Sequence, residues 1–101
     1  MSFAASSQDI RLEGKHMLHA LCRDTDGNLQ ESSIDLNKFL GNQNGYFIWG
    51  GENFSETADQ VELEGYILSA VMRAEDGQYA PRQIIDLNER ITNDNGRLVF
   101  E

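Results

Sequence analysis

Two short phrases rich in acidic and amide side chains each occur twice in the chain. IDLN stands at 34–37 and at 85–88, and an Asn-Gly pair follows at 44–45 and at 95–96. Carboxylates and amides can hold a ligand by hydrogen bonds, so either copy could belong to a binding site. The alternation of Ile and Leu instead favours core positions, and Asp35 and Asp86 are placed to cap the turn that follows each of them. We interpret IDLN as scaffold and the divergent tails before Asn-Gly as the place for ligand contacts.

A second acidic run, DTDGN at 24–28, has the spacing with which an EF-hand calcium loop begins. That loop also needs Gly at its sixth position and a bidentate Glu at its twelfth. Leu29 and Asp35 occupy those positions here. A polar hairpin turn is therefore favoured over a calcium site.

Two further groups of residues could support metal binding or catalysis. His16 and His19 lie in a run that resembles a strand, and no third zinc ligand accompanies them. Glu13 and Glu64 could form a glycosidase pair, but they are matching, solvent-facing strand positions with nothing nearby to raise one pKa. We expect no metal, no cofactor and no enzymatic activity.

These residues lie on a chain that repeats itself at an offset of roughly 50 residues. IRLEG (10–14) matches VELEG (61–65), and LHALCR (18–23) matches LSAVMR (68–73). Each copy shows the alternation of half-buried strands, an Asp-Gly hairpin signal and one helical turn. One copy alone would bury too little surface to be stable, so the two copies must share a core. The prediction is a single all-β domain over 1–101 with internal pseudo-symmetry, its sequence repeats being about 1–50 and 51–101.

Composition limits the classes of partner. The chain has 101 residues, a net charge of −9 and 40% hydrophobic residues, which indicates one folded domain. Scattered Lys and Arg in an acidic chain exclude nucleic acid and anionic membrane surfaces as expected partners. The single cysteine, Cys22, excludes an intrachain disulfide, and no signal peptide or apolar span is visible. We expect a cytoplasmic protein, with unconventional export as the alternative.

Several segments resemble a known family. They are SSIDLN (32–37), NGYFIW ending in Trp49, ENFSET (52–57), IDLN (85–88) and the terminal NGRLVFE (95–101). These segments and the repeat length resemble the cyanovirin-N homologues, which are mannose-binding lectins. The resemblance implies strand exchange between the repeats, with one half formed by about 1–39 plus 90–101 and the other by 40–89. It also implies binding of the Manα1-2Man ends of high-mannose glycans at each far end of the molecule, without metal or cofactor. The expected partners are mannose-containing oligosaccharides, and the expected state is a monomer, with a domain-swapped dimer as the alternative.

The resemblance implies two sets of sugar-contacting residues. The first pocket would use Ser2, Phe3, Ser6, Arg23, Asp24, Thr25, Asn93, Asp94 and Asn95. The second pocket would use Gly41, Asn42, Gln43, Asn44, Glu52, Asn53, Glu56, Thr57, Ala74, Glu75, Asp76 and Gln78.

The chain also departs from the family pattern. The four positions of the founding member's two disulfides hold Ser7, Cys22, Ala58 and Met72, and a hinge proline is replaced by Gly51. In the second pocket Gly41 replaces a glutamate and Glu75 an arginine, which could cost on the order of 1–3 kcal/mol of binding. In the first pocket Arg23 replaces a glutamate. We expect one working pocket, in the first half. The alternative is a protein-interaction module or degenerate scaffold that kept the fold and lost the sugar.

Overall fold

Short strands make up most of the chain. The computed structural model describes residues 3–101. The strands are β1 (Ser7–Glu13), β2 (Met17–Arg23), β3 (Leu29–Asp35), β4 (Leu40–Gln43), β5 (Tyr46–Trp49), β6 (Ala58–Glu64), β7 (Ile67–Met72), β8 (Gln83–Asp86), β9 (Ile91–Asp94) and β10 (Arg97–Phe100). A single 3₁₀ turn precedes β1, at Ala4–Ser6, and three more lie between later strands, at Leu36–Lys38, Phe54–Thr57 and Leu87–Glu89. The predicted all-β fold with short helical turns is confirmed. Within 3–101, no helix is long and apolar enough to cross a membrane.

The strands form two antiparallel three-stranded sheets and two hairpins. The sheets are β1-β2-β3 and β6-β7-β8, and the hairpins are β4-β5 and β9-β10. The hairpin from the end of the second repeat packs on the sheet of the first, where the Leu98 N–H donates to Ser32 Oγ at 3.0 Å. The β4-β5 hairpin of the first repeat packs on β8 of the second. Each half of the molecule is therefore built from both repeats, as the strand-exchange prediction states.

The core follows the alternation of the sequence. Leu18, Ala20 and Cys22 on β2 are completely buried, and so are their repeat partners on β7. Leu36 and Leu87 of the two IDLN phrases are completely buried as well. Because these side chains belong to one continuous cluster, the two repeats share a single core.

The polar residues of IDLN stabilise the turn and the contact between repeats. Asp35 accepts from the Asn37 N–H at 3.0 Å, and Asp86 accepts from the Asn88 N–H at 2.9 Å, so each caps its 3₁₀ turn as predicted. The Asn37 Oδ1 accepts from the Ser55 N–H at 3.1 Å, and the Asn88 Oδ1 accepts from the Ala4 N–H at 3.1 Å. The asparagine of each phrase thus binds the first turn of the other repeat.

Two bulges interrupt the predicted alternation. The register of β1 against β2 shifts between Gln8 and Arg11, and that of β6 against β7 shifts between Asp59 and Glu62. Asp9 and Gln60 take the left-handed backbone conformation at these points, with φ of 53° and 51°.

The molecule is elongated, 50 × 21 × 17 Å, so the two halves lie end to end.

Candidate functional site

An open pocket lies in the half that contains both chain ends. It encloses about 290 Å³. It is lined by Ser6, Arg23, Asp24, Thr25, Asn93 and Asn95. Three segments therefore meet here: the first 3₁₀ turn, the turn between β2 and β3, and the β9-β10 hairpin. The strand exchange brings them together.

Asn93 holds these three segments in place. Its Nδ2 donates to Ser6 Oγ and to the Arg23 carbonyl, both at 2.9 Å. Its Oδ1 accepts from the Gly96 N–H at 2.8 Å. The side chain uses most of its hydrogen-bonding capacity on the protein, so its main task is to shape the pocket.

Asn95 and Thr25 line the pocket together, Asn95 from the β9-β10 turn and Thr25 from the turn between β2 and β3. The Asn95 Oδ1 accepts from the Thr25 N–H at 3.0 Å and from the Thr25 hydroxyl at 3.1 Å. Asn95 has a φ of 51°, a left-handed conformation that asparagine tolerates better than most residues. The Asn95 Nδ2 makes no hydrogen bond within residues 3–101, so it can donate to a ligand.

Asp24 supplies the negative charge of the pocket. Its Oδ1 accepts from the backbone N–H groups of Asp26, at 3.0 Å, and Asn28, at 2.9 Å. Its Oδ2 accepts from the Gln30 Nε2 at 3.0 Å. The Gln30 side chain and then the Asn28 N–H lower the pKa of the Asp24 carboxyl, so it is ionised at neutral pH. A carboxylate, a hydroxyl and amides around one shallow cavity can pair with neighbouring hydroxyl groups of a ligand.

Two predicted residues of the first pocket, Phe3 and Asp94, are not among the described residues that line it. The Phe3 side chain is completely buried in the core, so it offers no side-chain surface to a ligand. Asp94 is exposed at the end of β9, outside the lining set. Ser2 lies outside the described residues.

The second half repeats the frame of the first pocket. Asn42 donates to Thr57 Oγ1 at 2.7 Å and to the Arg73 carbonyl at 2.8 Å, and it accepts from the Gly45 N–H at 2.7 Å. The Asn44 Oδ1 accepts from the Glu75 N–H at 2.9 Å. The three contacts of Asn42 match those of Asn93, and the contact of Asn44 matches the backbone contact of Asn95, while the bond from the Thr25 hydroxyl has no counterpart at Glu75.

The second half differs in the residues that would meet a ligand. Ala74 takes the place of Asp24, and Glu75 takes the place of Thr25. Gly41 is buried, and a Cβ there would lie 3.0 Å from the backbone N of Glu52 and from the Cα of Gly51. The other predicted residues are exposed around this frame, with Asn42 half-buried: Gln43, Asn44, Glu52, Asn53, Glu56, Thr57, Asp76 and Gln78. The charged residues around Asn42 and Asn44 are therefore mostly acidic, and position 41 has no room for a side chain without a backbone shift.

The remaining chemistry-bearing residues have structural partners. His16 Nδ1 lies 2.7 Å from Asp35 Oδ1, and His19 Nε2 lies 2.9 Å from Glu13 Oε1. Although burial acts to raise the pKa of Asp35, it lies below the usual value because His16 and the Asn37 N–H donate to the carboxylate. Over residues 3–101, no three His, Cys, Asp or Glu side chains cluster as metal ligands would.

Reasoning from the sequence missed Gln30. It is three residues beyond the Asp-Gly turn and looks like an ordinary exposed strand residue. A signal was present in the repeat, because Asp24 and Gln30 are both replaced by alanine, at Ala74 and Ala80.

Known proteins match this chain over nearly its whole length. A family model described as CVNH domain matches residues 3–99. The Cyanovirin-N homolog of Tuber borchii is 45% identical over 104 residues and covers 100% of both chains. The Cyanovirin-N homolog of Neurospora crassa is 35% identical over 106 residues and covers 95% of both.

Solved structures with bound sugars share the fold. A MoCVNH3 variant in complex with (N-GlcNAc)4 has a TM-score of 0.90 and 30% identity, covering 98% of this chain and 96% of that one. A microvirin:mannobiose complex has a TM-score of 0.86 and 25% identity, covering 99% and 98%. Because the family model matches residues 3–99 and a relative is 45% identical over the full length, the chain belongs to the CVNH family of carbohydrate-binding lectins.

Proposed function

We propose that the protein is a non-enzymatic lectin that binds terminal Manα1-2Man through the pocket of its first half. The observation that carries the proposal is the rigid set of Asp24, Thr25 and Asn95 around a cavity of about 290 Å³. Membership of the CVNH family and the microvirin:mannobiose complex support mannose as the ligand class.

The hydrogen-bonding capacity left in the pocket suits a sugar. Asp24 Oδ2 receives one donor, from Gln30, and so retains room to accept from a ligand hydroxyl. The Asn95 Nδ2 supplies hydrogen-bond donors from the β9-β10 turn. A cavity of about 290 Å³ lies at the small end of ligand sites and suits one or two sugar rings. With few buried contacts, the affinity should be modest, roughly micromolar to millimolar.

The electrostatics of the pocket support binding rather than hydrolysis. A glycosidase needs two carboxyl groups across the scissile bond, one of them with a raised pKa. Among the described residues that line the pocket, Asp24 is the one carboxylate, and its pKa is lowered. A carboxylate that is ionised at neutral pH does not supply the proton that a leaving group requires there.

The second half lacks the counterpart of the Asp24 carboxylate and the side-chain space of the first. Ala74 offers no acceptor where Asp24 does, and Gly41 packs against the backbone of Gly51. We therefore infer one working pocket per chain. A monovalent chain cannot cross-link glycans, so binding to dense glycan surfaces should show no avidity.

A two-dimensional ¹H–¹⁵N NMR titration with Manα1-2Man tests the proposal. Localised shifts are expected at the amides of Asp24, Thr25 and Asn95. The matching amides of Ala74, Glu75 and Asn44 form an internal control and should not move. N,N′-diacetylchitobiose as a second titrant separates mannose from GlcNAc recognition. Absence of localised shifts with Manα1-2Man would contradict the proposal.

A protein-interaction module is the second candidate, and the exposed apolar side chains favour it. Tyr46 and Ile48 on β5 and Ile84 on β8 are 55%, 39% and 70% exposed. The matching positions in the first half are Arg97, Val99 and Ser33. A pull-down from lysate with excess mannobiose discriminates the candidates, because glycan-dependent partners elute and protein partners remain.

A further inference from the structure

Gln30 links the charged residue of the pocket to the hairpin of the other repeat. Its Nε2 donates to Asp24 Oδ2 at 3.0 Å. Its aliphatic stem lies on the β9-β10 turn, since a Cβ added at Gly96 would come within 2.9 Å of Gln30 Cγ and 3.2 Å of its Cβ. Gln30 itself is held on β3, where it pairs with Cys22 of β2. The amide therefore projects from a rigid strand rather than from the turn.

This contact completes the orientation of the carboxylate. Two backbone N–H groups of the turn hold Asp24 Oδ1, which leaves the carboxyl plane free to swing about that oxygen. The Gln30 donor fixes Oδ2 and removes this freedom. A ligand hydroxyl then meets an acceptor that is already in place, and less conformational entropy is lost on binding.

The other half of the molecule provides an internal comparison. Ala80 takes the place of Gln30, and its Cβ lies against Gly45 as the Gln30 stem lies against Gly96. The contact with the hairpin is thus made by a single methyl group. The amide is absent in the half where position 74 carries no carboxylate. Its presence at position 30 is explained by Asp24 and not by the packing of the turn.

We propose that Gln30 is a positioning residue that sets the Asp24 carboxylate for a sugar hydroxyl, and that the Asp24–Gln30 pair determines which half binds. The inference rests on the proposed function of the first pocket. It predicts an effect on Asp24 with no sugar present, and that effect can be measured independently of binding.

Gln30→Met tests the inference, because methionine keeps the stem over Gly96 and removes the donor. Gln83→Met is the matched control, since Gln83 is a strand residue of the other half whose amide donates locally to the Pro81 carbonyl. NMR titration of the Asp24 side-chain carboxyl is expected to show a pKa closer to its ordinary value of 3.8 in Gln30→Met and no change in Gln83→Met. Manα1-2Man should bind Gln30→Met about tenfold more weakly, because the sugar must then order the Asp24 carboxylate itself, at roughly the cost of immobilising one side chain.

The two readouts separate the ways in which the inference could be wrong. An unchanged Asp24 pKa in a folded Gln30→Met protein would overturn the positioning role. A shifted pKa with wild-type sugar affinity would overturn the role in binding. Failure of the wild-type protein itself to bind would overturn the proposed function and the binding role together, while the titration would still decide the positioning role.

A transfer into the second half gives the reciprocal test. Ala74→Asp places a carboxylate there alone, and the double variant A74D/A80Q adds the amide. The introduced carboxyl is expected to titrate at lower pH in the double variant than in the single one. Equal titration in the two folded variants would overturn the inference.

Discussion

Replacing the central asparagine of the pocket should cost the protein both stability and binding. Asn93→Ala removes three hydrogen bonds that join three chain segments. At roughly 1 kcal/mol net for each bond, the loss is about 3 kcal/mol. The bond to the Arg23 carbonyl is exposed, so water replaces part of it and about 2–3 kcal/mol remains. In a domain of this size that corresponds to a fall in Tm of about 10–20 °C.

Asn42→Ala is a control that the chain itself provides. Asn42 makes the same three kinds of contact, at 2.7, 2.8 and 2.7 Å, in the second half. The two variants should therefore lose similar free energies of unfolding, measured by urea titration. With Manα1-2Man, Asn93→Ala should lose binding at the first pocket, whereas Asn42→Ala should bind as the wild type does at a temperature where both are folded.

Two results would refute the reasoning. A destabilisation of Asn93→Ala below about 0.5 kcal/mol would show that the three contacts contribute little net stability. Equal loss of sugar binding in both variants would show that the two halves do not function separately.

Three further predictions concern packing, redox chemistry and pH. Gly45→Ala should destabilise the protein by about 2–4 kcal/mol, measured by thermal unfolding, because Gly45 has a φ of +91° and the new Cβ would lie 2.4 Å from the Cβ of Ala80. A near-neutral effect on stability would contradict this reasoning. Ser7→Cys should form a disulfide with Cys22, which lies directly opposite position 7 in the pairing of β1 with β2. The disulfide should raise the free energy of unfolding by about 3 kcal/mol, and reductant should reverse this gain. Free thiols that persist after oxidation would contradict the prediction. Because folding lowers the pKa of Asp24, the unfolded chain takes up its proton at higher pH. The stability due to Asp24 is then present above pH 3.8, the ordinary pKa of an aspartate, and is lost as the pH falls through the lower pKa of the folded state. The free energy of unfolding of Asp24→Asn should therefore fall less than that of the wild type over this acid range. A parallel decline in the two proteins would contradict the assignment.

Much of the scaffold was accessible from residue pattern because each element is encoded locally. Alternation placed Leu18, Ala20 and Cys22 in the core, and the IDLN phrases predicted two capped turns. The exchange of hairpins is different. Either arrangement of two similar repeats buries the same apolar faces, so composition and period do not distinguish them, and the family resemblance supplied that prediction.

The unpredicted features depend on contacts between distant segments. Asn37 and Asn88 look like parts of local turns, yet each binds the first turn of the other repeat. The family resemblance placed Phe3 in the pocket, but its side chain is completely buried in the core, where a large aromatic ring contributes most. Gln30 could be understood only when the Asp24 carboxylate and the β9-β10 turn were seen on either side of it.

The two Asn-Gly turns have a consequence for the chemical ageing of the protein. Asn-Gly sequences deamidate when the glycine nitrogen attacks the neighbouring side-chain amide and releases ammonia. In both turns that nitrogen instead donates to an asparagine two residues earlier in the chain than the susceptible one: Gly96 to Asn93, and Gly45 to Asn42. The side-chain oxygens of Asn95 and Asn44 are engaged by the opposite turns. Because the attacking nitrogens and the side-chain oxygens are both held by hydrogen bonds, we expect Asn95 and Asn44 to deamidate more slowly in the folded chain than in the unfolded one.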